Sequence, residues 1–401
     1  MALSDKLSSA LNVFLVGLLI YNLFFKASDR PKNLELGVKL QTELTESGKL
    51  HNSTGQLTEV GWSRKYLKEF DANEIYPVIF GLQFFKPLKY KKFDMYNFFF
   101  DDKLLQVAAS NLYYAGNVFV NFFDFETKTF TSFSQDFLPF VNGKEFPNIL
   151  DNIFSCQTSG FIAKKGDIEL EVSNSLNNNV CLTSLRLKAG ETINANIVSF
   201  RNVNHDALFE ILPISENNRY FYYNLKDYNS PCAGKAVVND KAIELDRSSC
   251  LATHDFGRGV FEYKTSWNFG MGNGRLTDKT PFAINFGSGI AAKTSQSVED
   301  SFKIGEKIYK LNPLEVIHDD RNLMNGVTLK TSSHFAEETA NAAEIVFQSY
   351  YTTTKSDNFL VIMSKFRYIY GKFSGWVSDD NGVITNFEDI PGFIEFVNIR
   401  W

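Results

Sequence analysis

"DFGRGVFEYKTSWNFGMGNGRL", Asp255 to Leu276, holds five glycines, two arginines, an aspartate and a tryptophan in one stretch. A dinucleotide or P-loop cradle needs a strand, then glycines, then a helix whose N-terminus faces the phosphate. Here the glycines run into "RLTDKTPFAINFGSG" (275–289), which reads as turn and strand and contains no GK[ST]. The stretch is β structure on this pattern. Its glycines fit the turns, bulges and close-packed corners of a barrel, where positive φ or close backbone approach is needed.

The flanking sequence agrees. "FFDFETKTF" (122–130) sets Asp124, Glu126 and Lys128 against Phe125, Thr127 and Thr129, and "DIELEVS" (167–173) alternates Ile168, Leu170 and Val172 with Asp167, Glu169 and Glu171. Both have the period of a strand with one wet face. "FSGWVSDDNGVITNF" (373–387) puts Asn381-Gly382 between two apolar runs, a hairpin signal, and "FKIGEKIYKL" (302–311) predicts a second hairpin at Gly305-Glu306. One helix is predicted, over "FAEETANAAEIVFQ" (335–348), where Ala336, Ala340, Ala343 and Phe347 recur at helical spacing. Many short strands without a βαβ rhythm or a fixed repeat predict an all-β sandwich or barrel.

At 401 residues and 44% hydrophobic, the chain exceeds one ordinary compact unit, so two lobes are expected. The 39 Phe and 17 Tyr suit pleated, half-buried surface. A net charge of -5 lacks the basic footprint that phosphates demand, which argues against nucleic acid as a partner. Cys156, Cys181, Cys232 and Cys250 form no CxxC pair, so neither a zinc site nor a thioredoxin-type motif is indicated. Free or buried thiols are expected, with a Cys232–Cys250 disulfide as the alternative.

"ALNVFLVGLLIYNLFF" (10–25) is apolar and uncharged, and the uncharged stretch reaches back to Leu7. As a helix it spans roughly 28 Å, enough for a bilayer core. A transmembrane anchor over 7–26 is predicted, carried by Leu11, Phe14, Leu15, Leu18, Leu19, Ile20, Phe24 and Phe25. No A-x-A cleavage site follows, so the segment reads as retained. Asn12 and Asn22 fall within about 80° of each other on the helix, as contacts to a partner helix would. Lys26, Arg30 and Lys32 outweigh Lys6, which places the large domain on the cytoplasm-like or matrix-like face. Asn52-Ser53-Thr54 is a lone glycosylation sequon, relevant only in a secretory lumen.

Candidate chemistry is sparse. Asp255 and Arg258 are three residues apart, with Trp267 nearby. They fit either an ion pair that ties down a turn or the lining of a ligand pocket. His318-Asp319-Asp320 invites a metal reading, but neighbours in an extended chain point to opposite faces, so a solvated loop is expected. There is no G-x-S-x-G elbow. No catalytic residue, cofactor or metal is predicted.

Four stretches together resemble one family, catalogued as domain of unknown function 2804. They are "GQLTEVGWSRKYL" (55–67), "KKFDMYNFFFDDKLLQVAASNLYYAGNVFVNFFDFETKTF" (91–130), "DFGRGVFEYKTSWNFGMGNG" (255–274) with "FAINFGSG" (282–289), and "YGKFSGWVSDDNGVITNFEDIPGFIEFVNIRW" (370–401). The resemblance implies tandem lipocalin-like barrels of the calycin group and no activity. Trp62, Arg64, Asp255, Arg258, Gly259 and Trp267 match recurring positions of that pattern. The sequence departs from it at Phe93-Asp94 and at Phe256, each replacing a tryptophan, and in the added amino-terminal segment.

The expected organisation is an anchor (7–26), a connector (27–54), a first lipocalin-like lobe (55–200) and a second (201–401). The expected function is a non-catalytic, membrane-anchored β-barrel subunit of a larger assembly, such as a respiratory-type complex of the mitochondrial inner membrane, in contact with other subunits and membrane lipid. The alternative is a lipid- or isoprenoid-binding protein, or a lipid-modifying enzyme, at the membrane surface with the barrel interior as its pocket.

Overall fold

The computed structural model describes residues 42–75, 89–151, 154–156, 159–214, 219–290, 299–335, 338–359 and 362–400. The predicted anchor over 7–26, with Asn12 and Asn22, lies outside them. Among the described residues no helix is long and apolar enough to cross a membrane.

The architecture is all-β. Short strands β1 (Gly48–Lys49), β2 (Gly61–Ser63) and β3 (Lys68–Glu69) precede a meander of β4 (Tyr90–Phe100), β5 (Lys103–Asn111), β6 (Gly116–Asp124) and β7 (Thr129–Phe137). A second meander follows, β8 (Ser159–Lys165), β9 (Ile168–Asn177), β10 (Val180–Ala189) and β11 (Ile193–Asn202). Then come β12 (Leu208–Pro213), β13 (Phe221–Val238), β14 (Lys241–Leu245) and β15 (Leu251–Val260). The main path of this sheet runs β7-β6-β5-β4-β15-β13-β11-β10-β9-β8. The long β13 joins the two meanders, pairing with β15 along its first half and β11 along its second. A register shift between Asp227 and Ser230 bends it there, which curls the sheet.

The second sheet is β16 (Lys264–Arg275), β17 (Pro281–Ser288), β18 (Ser301–Ile304), β19 (Lys307–Lys310), β20 (Leu314–His318), β21 (Val327–Thr331), β22 (Ala343–Phe359), β23 (Ile362–Ser378) and β24 (Ile384–Arg400). Its order is β19-β18-β17-β16-β24-β23-β22-β21-β20. The two barrel-like sheets are consistent with the expected double lipocalin-like fold. The chain crosses from one to the other between Val260 and Lys264, whereas position 200, the expected lobe boundary, falls inside β11.

Each sheet closes on its own apolar core. Tyr96, Phe98, Val107, Leu185, Ile197 and Phe256 belong to the first, and Phe286, Ile345, Phe347, Ile369, Phe373 and Ile394 to the second. A third cluster mixes both sheets and glues the lobes: Trp62, Phe99, Phe123 and Tyr228 meet Phe269, Tyr370 and Phe393. Tyr370 adds polar specificity there, accepting a hydrogen bond from Asn121 at 3.0 Å and donating to Gln106 at 3.2 Å.

Several local expectations hold. The hairpins turn at Gly305-Glu306 and at Asn381-Gly382, where Gly382 has φ 76°. Along β9 Ile168, Leu170 and Val172 are buried while Glu169 and Glu171 are exposed. Others need correction. The predicted helix over 335–348 is replaced, in its described part, by a 3-10 turn at Ser333–Phe335 and the start of β22. Ala343 and Phe347 are four residues apart, a spacing that both periods satisfy, and the intervening Ile345 is fully buried on the same face as a strand requires. "FFDFETKTF" is not one strand but the β6–β7 hairpin. Asp124 accepts from the backbone N–H of Glu126 and of Thr127, both at 3.0 Å, and Lys128 takes φ 56°.

The cysteines are not free thiols: Cys156–Cys181 and Cys232–Cys250 are disulfides. Cys232 N–H donates to the Cys250 carbonyl at 3.1 Å, and this strand pairing holds the Cα atoms 5.1 Å apart, within bridging range. The glycines of "GMGNG" are not turns either, since Gly270, Gly272 and Gly274 lie within β16. A Cβ at Gly270 would strike the Phe286 ring, and one at Gly272 would sit 2.7 Å from Phe373. Glycine here lets aromatic rings lie directly on the backbone.

Candidate functional site: the cleft between the lobes

Strand β15 sends alternate side chains to opposite faces. Phe256 and Arg258 enter the first core, whereas Asp255, Gly257 and Gly259 face the second lobe. Tyr222 lies over Gly257 and the Phe261 ring over Gly259, so close that a Cβ at either position would overlap the ring. The pair expected between Asp255 and Arg258 therefore does not form, because residues three apart on a strand face opposite ways.

Arg258 is fully buried and ties down the first lobe. Its Nη1 donates to Asp94 Oδ1 at 2.6 Å and to the carbonyls of Phe93 and Gly257; Nε and Nη2 donate to Leu150 O at 3.0 and 2.7 Å. Asp94 is correspondingly dry, and burial raises its pKa although the guanidinium beside it works the other way. This is a structural lock.

Asp255 instead borders a cavity of about 550 Å³ between the lobes. Phe93, Met95, Phe119 and Phe130 line it from the first lobe, Trp267 and Phe366 from the second. The cavity lies between the lobes, whereas the expected pocket was the interior of a barrel. At the rim, the exposed Lys355 donates to Ser134 Oγ across the gap at 2.7 Å.

Its floor is charged. Lys226 Nζ, on β13, lies 2.8 Å from Asp255 Oδ2 and 3.2 Å from Glu299 Oε2, and 4.0 Å above the centre of the Phe269 ring. Burial works against the Lys226 charge, but Asp255 and Glu299 outweigh it and hold its pKa well above the ordinary lysine value. Gly287 leaves room for the Glu299 carboxylate, which a Cβ there would overlap. On the second lobe, Glu395 Oε1 accepts from Trp267 Nε1 at 2.8 Å. Burial lifts Glu395 to about 7 despite the Trp267 hydrogen bond. Burial also raises Glu299. The floor thus combines a fixed ion pair with a carboxyl poised to exchange a proton near neutral pH.

Of the residues singled out by sequence, Asp255 and Trp267 line the cleft and Arg258 does not. Trp62 and Arg64 lie elsewhere on the lobe interface. Trp62 is buried in the shared core, Arg64 stacks 5.0 Å from its ring and pairs with Glu43 at 2.9 Å, and its guanidinium donates to the Ile308 carbonyl of the second lobe. Lys226, Glu299 and Glu395 were not anticipated. The available signal was charge in an apolar strand: Lys226, followed by Asp227, in "YFYYNLKDY" and Glu395 alone in "GFIEFVNI".

The histidines give no metal site among the described residues. His318 lies 3.2 Å from Asp320 and packs on Phe396. His254 Nε2 and Ser199 Oγ are 2.8 Å apart, but both are fully buried in the first lobe, where burial lowers His254 to about 4. That pair has no access to a substrate.

A family model described as "Domain of unknown function (DUF2804)" matches residues 41–401. No curated protein matches the chain. Among solved structures, a protein assigned as AttH from Nitrosomonas europaea aligns with TM-score 0.43 and 10% identity, over 80% of this chain and 98% of its own. Kievitone hydratase from Nectria haematococca aligns with TM-score 0.43 and 10% identity, over 81% and 93%. At this level the likeness carries no statement about function.

Proposed function

The chain belongs to the DUF2804 family, and from that premise we propose that it binds a small, largely apolar molecule in the cleft between its lobes. The lipid- or isoprenoid-binding alternative is thereby preferred to the accessory-subunit reading, on which no described residue bears. One observation carries it: a cavity of about 550 Å³, mostly apolar along its walls, with a few convergent polar groups at its floor. Ligand sites have this size and composition.

Titration of the purified full-length chain with the neutral fluorophore Nile red tests the proposal. Saturable binding is expected, weakened about tenfold or more (about 1.4 kcal/mol) by Phe119→Arg and by Phe366→Arg, which fill the cleft from either wall. Binding that neither variant weakens overturns it.

A lipid-modifying activity is the second reading, favoured by Glu395. A carboxyl with a pKa near 7 on the wall of an apolar cleft suits general acid–base work. For localisation, the membrane anchor over 7–26 stays a proposal. The two disulfides support an oxidising compartment for the β domain, against the cytoplasm-like face suggested by the flanking charges. Alkylation of thiols in freshly opened cells, before and after reduction, distinguishes the two.

A further inference from the structure

We propose that the cleft selects amphiphiles whose polar head donates hydrogen bonds, long-chain amines before long-chain alcohols, and rejects fatty acids. The proposal rests on the cleft-binding reading above and specifies the head group.

The groups at the floor set the preference. Lys226, the cation there, is already engaged by Asp255 at 2.8 Å and Glu299 at 3.2 Å and sits on the Phe269 ring. It has no capacity left to neutralise an incoming carboxylate. Asp255, Glu299 and Glu395 lie at the floor of the same cavity, and Asp136 and Asp357 also line it. Burial has pushed Glu299 and Glu395 above their ordinary range, so the site already resists the negative charge it holds. A fatty carboxylate would add one more in a poorly solvated place, which is strongly unfavourable. An ammonium or hydroxyl head meets acceptors instead. Glu395 is the fitting one, because Trp267 Nε1 fixes one of its oxygens at 2.8 Å and so orients the carboxyl group. The apolar walls formed by Phe119, Phe130 and Phe366 accommodate the chain.

This arrangement has a pH signature. The groups acting on Glu395 are Trp267 of β16, Tyr368 of β23, Asp255 of β15 and Lys226 of β13. An alkylammonium stays charged to about pH 10, so its binding follows the ionisation of Glu395 and strengthens as pH rises through about 7.

The experiment is displacement of Nile red from the full-length chain by dodecylamine, dodecanol and dodecanoate, each at pH 5.5 and pH 8. Dodecylamine is expected to displace the fluorophore at a concentration at least tenfold below that of dodecanoate at pH 8, with dodecanol between them. The amine should gain on going from pH 5.5 to pH 8, and dodecanol should not. Glu395→Gln should abolish the pH dependence of the amine. Trp267→Phe removes a donor that favours the carboxylate, so the midpoint of the amine profile should move to higher pH, a shift that a purely structural role would not produce. Dodecanoate binding as tightly as dodecylamine overturns the head-group proposal while the cleft reading stands. Failure of Nile red and all three amphiphiles to bind wild-type protein overturns both.

Discussion

Asp94 and Arg258, 164 residues apart in the chain, meet at 2.6 Å with both side chains sealed from solvent. The pair joins β4 to β15, and Arg258 spends its remaining donors on carbonyls of Phe93, Leu150, Asp151 and Gly257. Removing the cation would strand a buried carboxylate and several carbonyls, which costs about 3–5 kcal/mol. Arg258→Met should lower stability by that much in urea unfolding, and the double variant Asp94→Leu, Arg258→Met should recover part of the loss. A single variant as stable as wild type refutes the lock.

Glu395 gives stability a pH slope. Its folded pKa of about 7 lies above the ordinary glutamate value of 4.5. The fold therefore favours the protonated form: this contribution is fully present below the unfolded pKa and is lost as pH rises through 7. Glu395→Gln removes the share of the slope that Glu395 contributes. Relative to wild type, the variant should gain on the order of 2–3 kcal/mol between pH 4 and pH 8, measured by denaturant unfolding at both pH values.

Gly257 supports one wall of the cleft by letting Tyr222 lie on bare backbone. Gly257→Ala should displace that ring, cost about 1–3 kcal/mol through overpacking and weaken Nile red binding. A variant that loses stability but binds normally would show that Tyr222 does not shape the site.

The disulfides staple the first lobe. Cys156–Cys181 and Cys232–Cys250 close loops of 25 and 18 residues, each worth about 3 kcal/mol in the chain-entropy account. Reduction should lower the Tm of the purified protein, and Cys232→Ala, Cys250→Ala together should reproduce about half of the effect. An unchanged Tm on full reduction would mean that the bridges do not form.

What the sequence makes legible is local. Asn381-Gly382 and Gly305-Glu306 announce their hairpins because a tight turn depends on its own few residues, and Ile168, Leu170 and Val172 announce a half-buried strand because the side-chain period is two. The false helix at 335–348 has a local cause as well, since a four-residue spacing satisfies both periods. Local pattern alone pointed to an all-β chain and excluded a phosphate loop at Asp255–Leu276, while the expectation of two lobes came from chain length.

Which residues meet is a different matter, decided only by tertiary structure. Asp255 and Arg258 look like partners at three residues' separation, yet strand geometry turns them apart, one to Lys226 on the cleft floor and the other to Asp94 in the core. Lys226, Glu299 and Glu395 are scattered over 170 positions and become one site because two curved sheets pack back to back. That packing also buries the carboxyls, and their pKa values follow from burial and from neighbours distant in sequence. Period and turn chemistry are properties of adjacent residues, whereas a cleft and its charge belong to the contact between surfaces, which no short stretch encodes.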